Sequence, residues 1–154
     1  MNPLRRTFLN GFGAAGALSI SITTGLLKPW EALAAEWNKS AFEALTMTDA
    51  LKSVGGAGAT ESKDIQIKAP DHAENGAAVQ LEVTSKIAGT TSLAIFVEKN
   101  PRPLIADCEF SNGAEPYIFF RTKMGESSRI RVLARAGGKT YFATKEVSVT
   151  SSGC

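Results

Sequence analysis

From Asp64 onward, apolar residues fall on alternate positions. Ile65/Ile67, Val79/Leu81/Val83, Leu93/Ile95/Val97 and Ile130/Val132 each give a strand one apolar face. Leu104–Phe110, Tyr117–Lys123 and Thr140–Val149 are further strand-like runs. Turn-forming groups separate them: Glu74-Asn75-Gly76, Ala88-Gly89, Asn100-Pro101-Arg102-Pro103, Ser111-Asn112-Gly113, Gly125-Glu126 and Gly137-Gly138. Seven short strands at this spacing predict an all-β chain, an immunoglobulin-like antiparallel β-sandwich over residues 64–149. The Cys…Trp…Cys signature of antibody domains is absent, so no inter-sheet disulfide carries the fold.

Ahead of the strands the period changes. Ser40-Ala41-Phe42-Glu43 has capping-box spacing, and Phe42, Leu45 and Leu51 can share a helical stripe that Gly55-Gly56 stops. Thr48-Asp49 can recap the segment midway, which allows one helix or two short ones. Gly55 to Lys63 reads as a small, polar linker. Residues 35–63 are therefore a short helical segment and linker.

The first 34 residues have the layout of an export signal. Arg5-Arg6 precede Phe8-Leu9, a modestly apolar stretch runs from Gly11 to Leu27, and Ala32-Leu33-Ala34 supplies the small residues that a signal peptidase reads. The arginine pair points to the twin-arginine route, with cleavage near Ala34–Ala35 and a periplasmic destination. The apolar stretch is too rich in glycine and threonine for a stable membrane span, so none is expected after cleavage.

Charge follows from that division. The whole chain has 17 Lys and Arg against 15 Asp and Glu, and residues 1–34 hold three of the cations and one of the anions. The remainder is neutral, which gives no reason to expect nucleic acid or an anionic membrane as partner. Arg129, Arg131 and Arg135 alternate with apolar positions and read as a solvated sheet face, or else as a site for an anion or acidic partner. His72, the single histidine, has no second ligand at metal spacing and reads as a loop residue. No nucleophile elbow or phosphate-cradling loop occurs. Asp107, Glu109 and Glu115 can meet only if the fold brings them together. No catalytic residue, metal site or cofactor is expected, and the chain is not read as an enzyme.

The candidate chemistry lies in two cysteines. Cys108 sits in the strand-like run Ile105–Phe110 and reads as a small packed residue, or as one end of a bridge to Cys154. Cys154 ends the polar tail of residues 150–154, behind Ser151, Ser152 and Gly153. Six extended residues from Val149 reach at most roughly 20 Å, the scale of an arm that presents a thiol to another protein.

Four stretches carry a family resemblance: Glu74 to Ala77, Ala94 to Ala106, Arg121 to Met124 and Ala136 to Tyr141. In this order they resemble the SoxY family of sulfur-oxidation carrier subunits. The resemblance implies an immunoglobulin-like sandwich paired with a second small β subunit, SoxZ, as a heterodimer. It also implies that Cys154 carries thiosulfate-derived sulfur, loaded by a haem-containing enzyme and relieved of sulfate by a metal-dependent hydrolase. The family tail has two glycines on each side of its cysteine, whereas here Ser151-Ser152-Gly153 precede Cys154 and nothing follows. Either the sequence stops short or the carrier has diverged. A terminal α-carboxylate beside the sulfur disfavours the thiolate. The contrasting reading is an exported β-sandwich scaffold or binding subunit with no carried group.

Overall fold

The computed structural model describes residues 38–150. The segment expected to be an export leader, with Arg5 and Arg6, and the tail of Ser151, Ser152, Gly153 and Cys154, lie outside them.

Two short helices come first. α1 (Lys39–Glu43) is capped by Asn38, whose side chain accepts from the Ala41 amide at 3.2 Å. Ser40, the cap expected from sequence, instead donates its hydroxyl to Asn38 Oδ1 at 3.0 Å. Any of these short polar side chains can cap, and the one whose backbone stands just outside the helix takes the role. The chain leaves α1 at Ala44 (ψ 130°), and Thr46 caps α2 (Met47–Ser53) by accepting from the Asp49 amide. The segment is thus two helices, recapped by Thr46 and not by Thr48. Leu45 falls in the break and is 74% exposed, so the expected stripe reduces to Phe42 and Leu51. α2 ends on Gly55 at φ +68°, with Gly55 N–H bonded to Lys52 O and Gly56 N–H to Leu51 O, the two bonds of a Schellman motif.

The strands are β1 (Thr60–Glu61), β2 (Ile65–Lys68), β3 (His72–Ala73), β4 (Val79–Ser85), β5 (Thr90–Val97), β6 (Leu104–Glu109), β7 (Tyr117–Thr122), β8 (Ser128–Ala136) and β9 (Lys139–Val149). All seven expected strands form. β1 and β3 are additions, each two residues long and parallel to β9. β1 lies in the stretch read as a linker, where Ala59 also packs on a core cluster. The larger sheet runs β1-β9-β8-β5-β6 with β3 also on β9, and the smaller runs β2-β4-β7. Apart from the two short parallel pairings, every pairing is antiparallel. The result is an immunoglobulin-like sandwich with a small helical segment.

Val79, Leu81 and Val83 of β4 face Leu93, Ile95 and Val97 of β5 and Ile130 and Val132 of β8 across the central core. A second cluster fills the outer face of the larger sheet, where α1 and α2 lay Ala41, Ala50 and Val54 on Ala94, Phe96, Leu104 and Leu133. β5 is consequently buried on both faces from Ser92 to Val97. The three arginines of β8 share that outer face, and they are paired within the domain. Arg131 lies 3.1 Å from Glu98 and 5.2 Å from the Phe142 ring centroid, Arg129 is 3.9 Å from Glu98, and Arg135 is 3.7 Å from Asp107.

Candidate functional site

The described thiol is Cys108. It stands opposite Leu93 in the β5–β6 ladder, and since Leu93 points into the central core, Cys108 shares that inner face. It is a half-buried, free cysteine. Burial, and next the Asp107 carboxylate beside it, push the thiol above its ordinary pKa. Less thiolate at neutral pH makes it a poor nucleophile.

The other thiol hangs from the end of β9, and that end is tied firmly to the body. β3 pairs with it through His72↔Ser148 and Ala73↔Val149. Ser148 N–H donates to Asp71 O at 2.9 Å and Thr150 N–H to Ala73 O at 3.0 Å. Val149 N–H donates to Ser127 Oγ at 2.8 Å. Lys145 Nζ reaches Asp71 Oδ1 at 2.7 Å, and this contact holds the Asp71 carboxyl below the usual carboxylate range. Gly76 completes the anchor: a Cβ there would collide with Met124 O and stand 2.7 Å from Val149 Cγ1. The backbone must pass this close because Met124 N–H donates to Gly76 O at 2.7 Å.

This anchor shortens the arm expected from sequence. Val149 and Thr150 belong to the body, so the remaining chain from Thr150 to Cys154 spans at most about 14 Å. The anchoring residues Asp71, Gly76 and Ser127 were not among the sequence candidates. Gly76 had a signal, the Asn75-Gly76 turn pair, whereas Ser127 is one serine among many.

The other candidates disperse. His72 lies in β3 and not in a loop, with its side chain exposed. Asp107 and Glu109 share the outer face of β6, while Glu115 precedes β7 and pairs with neither. Among the described residues no group of three or more His, Cys, Asp or Glu side chains is placed to hold a metal ion. No described helix is long and apolar enough to cross a membrane.

The comparisons bear on the same region. The family model for sulfur oxidation protein SoxY matches residues 51–154, a span that includes Cys154. The structure of the sulfur carrier protein SoxY from Chlorobium limicola f thiosulfatophilum superposes with a TM-score of 0.63 at 38% identity, covering 68% of this chain and 96% of that one. The crystal structure of an engineered protein matches with a TM-score of 0.41 at 12% identity, over 56% of this chain and 20% of its own, too slight a likeness to carry meaning. No curated protein matches the chain.

Proposed function

The chain belongs to the SoxY family of sulfur oxidation proteins, and from that premise we propose that it is a periplasmic covalent carrier of sulfur intermediates, with Cys154 as the attachment point. The observation that carries this reading is the contrast between its two thiols. Cys108 is half-buried with its pKa raised, while Cys154 follows a strand end that several hydrogen bonds fix to the domain. A firm root and a short arm restrict the carried group to a small volume, which raises its effective concentration at a docked enzyme.

In this reading the domain supplies no catalyst. Loading joins the sulfane sulfur of thiosulfate to the Cys154 thiolate, giving Cys–S–S–SO₃⁻ and two electrons, which a haem-containing partner takes up. Water then attacks the sulfonate sulfur at a metal-dependent hydrolase. Sulfate and one proton leave, and Cys154 keeps a persulfide. A SoxZ-like small β subunit accompanies the chain as its heterodimeric partner.

The test is intact-mass and peptide analysis of protein from cells oxidising thiosulfate. Adducts should sit on Cys154, vanish on reduction, be abolished by Cys154→Ser and persist in Cys108→Ser. A Cys154 that never carries sulfur under any growth condition would favour the exported scaffold subunit.

A further inference from the structure

Two Asn–Gly pairs fall among the described residues, Asn75-Gly76 and Asn112-Gly113, and the fold holds them in opposite ways. Both asparagines are exposed, so access to water does not separate them. Backbone freedom does. Asn75 is extended (φ −128°, ψ 104°) and caps the short 3-10 turn Gly76–Ala78, its Oδ1 accepting from Ala77 N–H at 2.8 Å. Gly76 O accepts from Met124 N–H at 2.7 Å, and a Cβ on Gly76 would collide with Met124 O. Neither residue of this pair can rotate without opening that contact.

Asn112-Gly113 lies between β6 and β7 and is held by little. Asn112 has φ +55° and is the one described residue other than glycine at positive φ, and Gly113 follows at φ +75°. A positive-φ pair closed by Ala114 N–H to Ser111 O at 3.0 Å is the pattern of a type I′ turn, which favours Asn-Gly. No group among the described residues hydrogen-bonds the Asn112 carboxamide or the Gly113 N–H. A Cβ on Gly113 would meet nothing within 4 Å. The carboxamide and the neighbouring backbone nitrogen are therefore adjacent, unpartnered and open to water.

We propose that Asn112 is a self-modification site, at which the chain's own backbone nitrogen displaces ammonia. The Gly113 nitrogen bonds to Asn112 Cγ and gives its proton to water. The bond from Cγ to the side-chain nitrogen breaks, and that nitrogen takes up a proton and leaves as ammonia. The product is a five-membered cyclic imide. Water then opens the ring at either carbonyl. Cleavage at Cγ leaves aspartate, and cleavage at the backbone carbonyl leaves isoaspartate, in which the main chain runs through the side-chain carbons. One water is consumed, one ammonia is released and no electrons are exchanged. Either product sets a carboxylate on the rim of the cleft that Lys86 and Phe110 also line. Isoaspartate adds a backbone atom as well, which the type I′ pattern does not accommodate.

The test keeps the full chain folded at mildly alkaline pH and, in parallel, unfolded in guanidinium. Peptide mass analysis, with aspartate and isoaspartate peptides separated, follows each site over time. In the folded protein Asn112 should convert about tenfold or more faster than Asn75, which reacts only from locally opened chain. In guanidinium the two rates should draw level. Isoaspartate should accompany aspartate at position 112, and water enriched in heavy oxygen should label both products, as an imide intermediate requires. Gly113→Ala should slow conversion of the folded protein by about tenfold, because the added methyl shields a nitrogen that glycine leaves open. An Asn112 that stays intact in the folded protein, an Asn75 that converts as fast, or aspartate formed without isoaspartate would each overturn the proposal. None of these readouts involves sulfur on Cys154, so they succeed or fail independently of the carrier reading.

Discussion

Asp107 sits beside Cys108 on β6, with its Oδ1 buried and without a hydrogen-bond partner among the described residues. Burial raises its pKa, Glu109 adds to the rise, and Arg135 at 3.7 Å offsets only part of it. The sign of the resulting pH dependence is fixed. Between the ordinary value of 3.8 and its raised folded value, the native state holds more protons than the unfolded chain, so this group's contribution falls as pH rises. Asp71 acts in the opposite sense, because Lys145 lowers its pKa and that contribution is lost on acidification. Asp107→Asn should abolish the gain on acidification due to residue 107. The check is the urea midpoint of both proteins across pH: the wild type should gain on the variant as pH falls through the window. A constant difference between the two curves would contradict the assignment. Burial, and next this same carboxylate, hold the Cys108 thiol protonated, so alkylation of Cys108 should be slow at neutral pH and accelerate only well above the pH that suffices for an exposed thiol.

Among the elements, the end of β9 is fixed by side chains and turns from three separate segments. Gly76 is the tightest point, since the obstructing Met124 O is backbone and cannot swing aside. Gly76→Ala should destabilise the domain by about 1–3 kcal/mol, the usual range for overpacking a well-filled site. The loss should be local as well as global. Amide exchange at Ser148, Val149 and Thr150 should speed up more than exchange in β5, which is buried on both faces. Unchanged denaturation with unchanged exchange would show that Gly76 does not hold the strand end. The helical segment works differently. α1 and α2 are too short to persist alone, and they hold because Ala41, Ala50 and Val54 close the outer face over Phe96 and Leu133.

At the scale of the molecule, a tail rooted at Thr150 brings its cysteine no farther than about 14 Å from the β3–β9 end. If Cys154 carries sulfur as proposed, an enzyme that loads or unloads it docks around that end, near His72, Glu74 and the Lys99–Glu126 ion pair. The opposite end holds a cleft of about 430 Å³ lined by Lys86, Ile87, Thr90, Phe110 and Asn112, too far from the tail root to receive the arm. We propose that residues 1–34 direct export and so deliver the chain to such partners. Replacing Arg5 and Arg6 by lysine should strand the precursor in the cytoplasm, because the arginine pair is the part of the signal that the export receptor reads. Cell fractionation decides this: normal periplasmic accumulation of the double variant would remove the twin-arginine assignment.

The alternation from Ile65 to Val149 was sufficient to place all seven longer strands and the sandwich, because an inward face requires apolar residues at every second position whatever lies opposite. The same reading located both thiols and the glycines that end α2. What it could not supply was the identity of each neighbour. Ala94, Phe96 and Leu133 look like ordinary strand residues until two helices cover them. Asn38 and Thr46 became caps through backbone position, not through chemistry that distinguishes them from Ser40 or Thr48. Arg131 found Glu98 and Phe142 only because β8 runs between β5 and β9. β1 and β3 are too short for any periodicity and exist only because β9 offers them an edge. Periodicity is local and survives in the sequence. Pairing, burial of a second face and the choice of which edge stays open depend on residues far apart in the chain, and only the folded structure decides them.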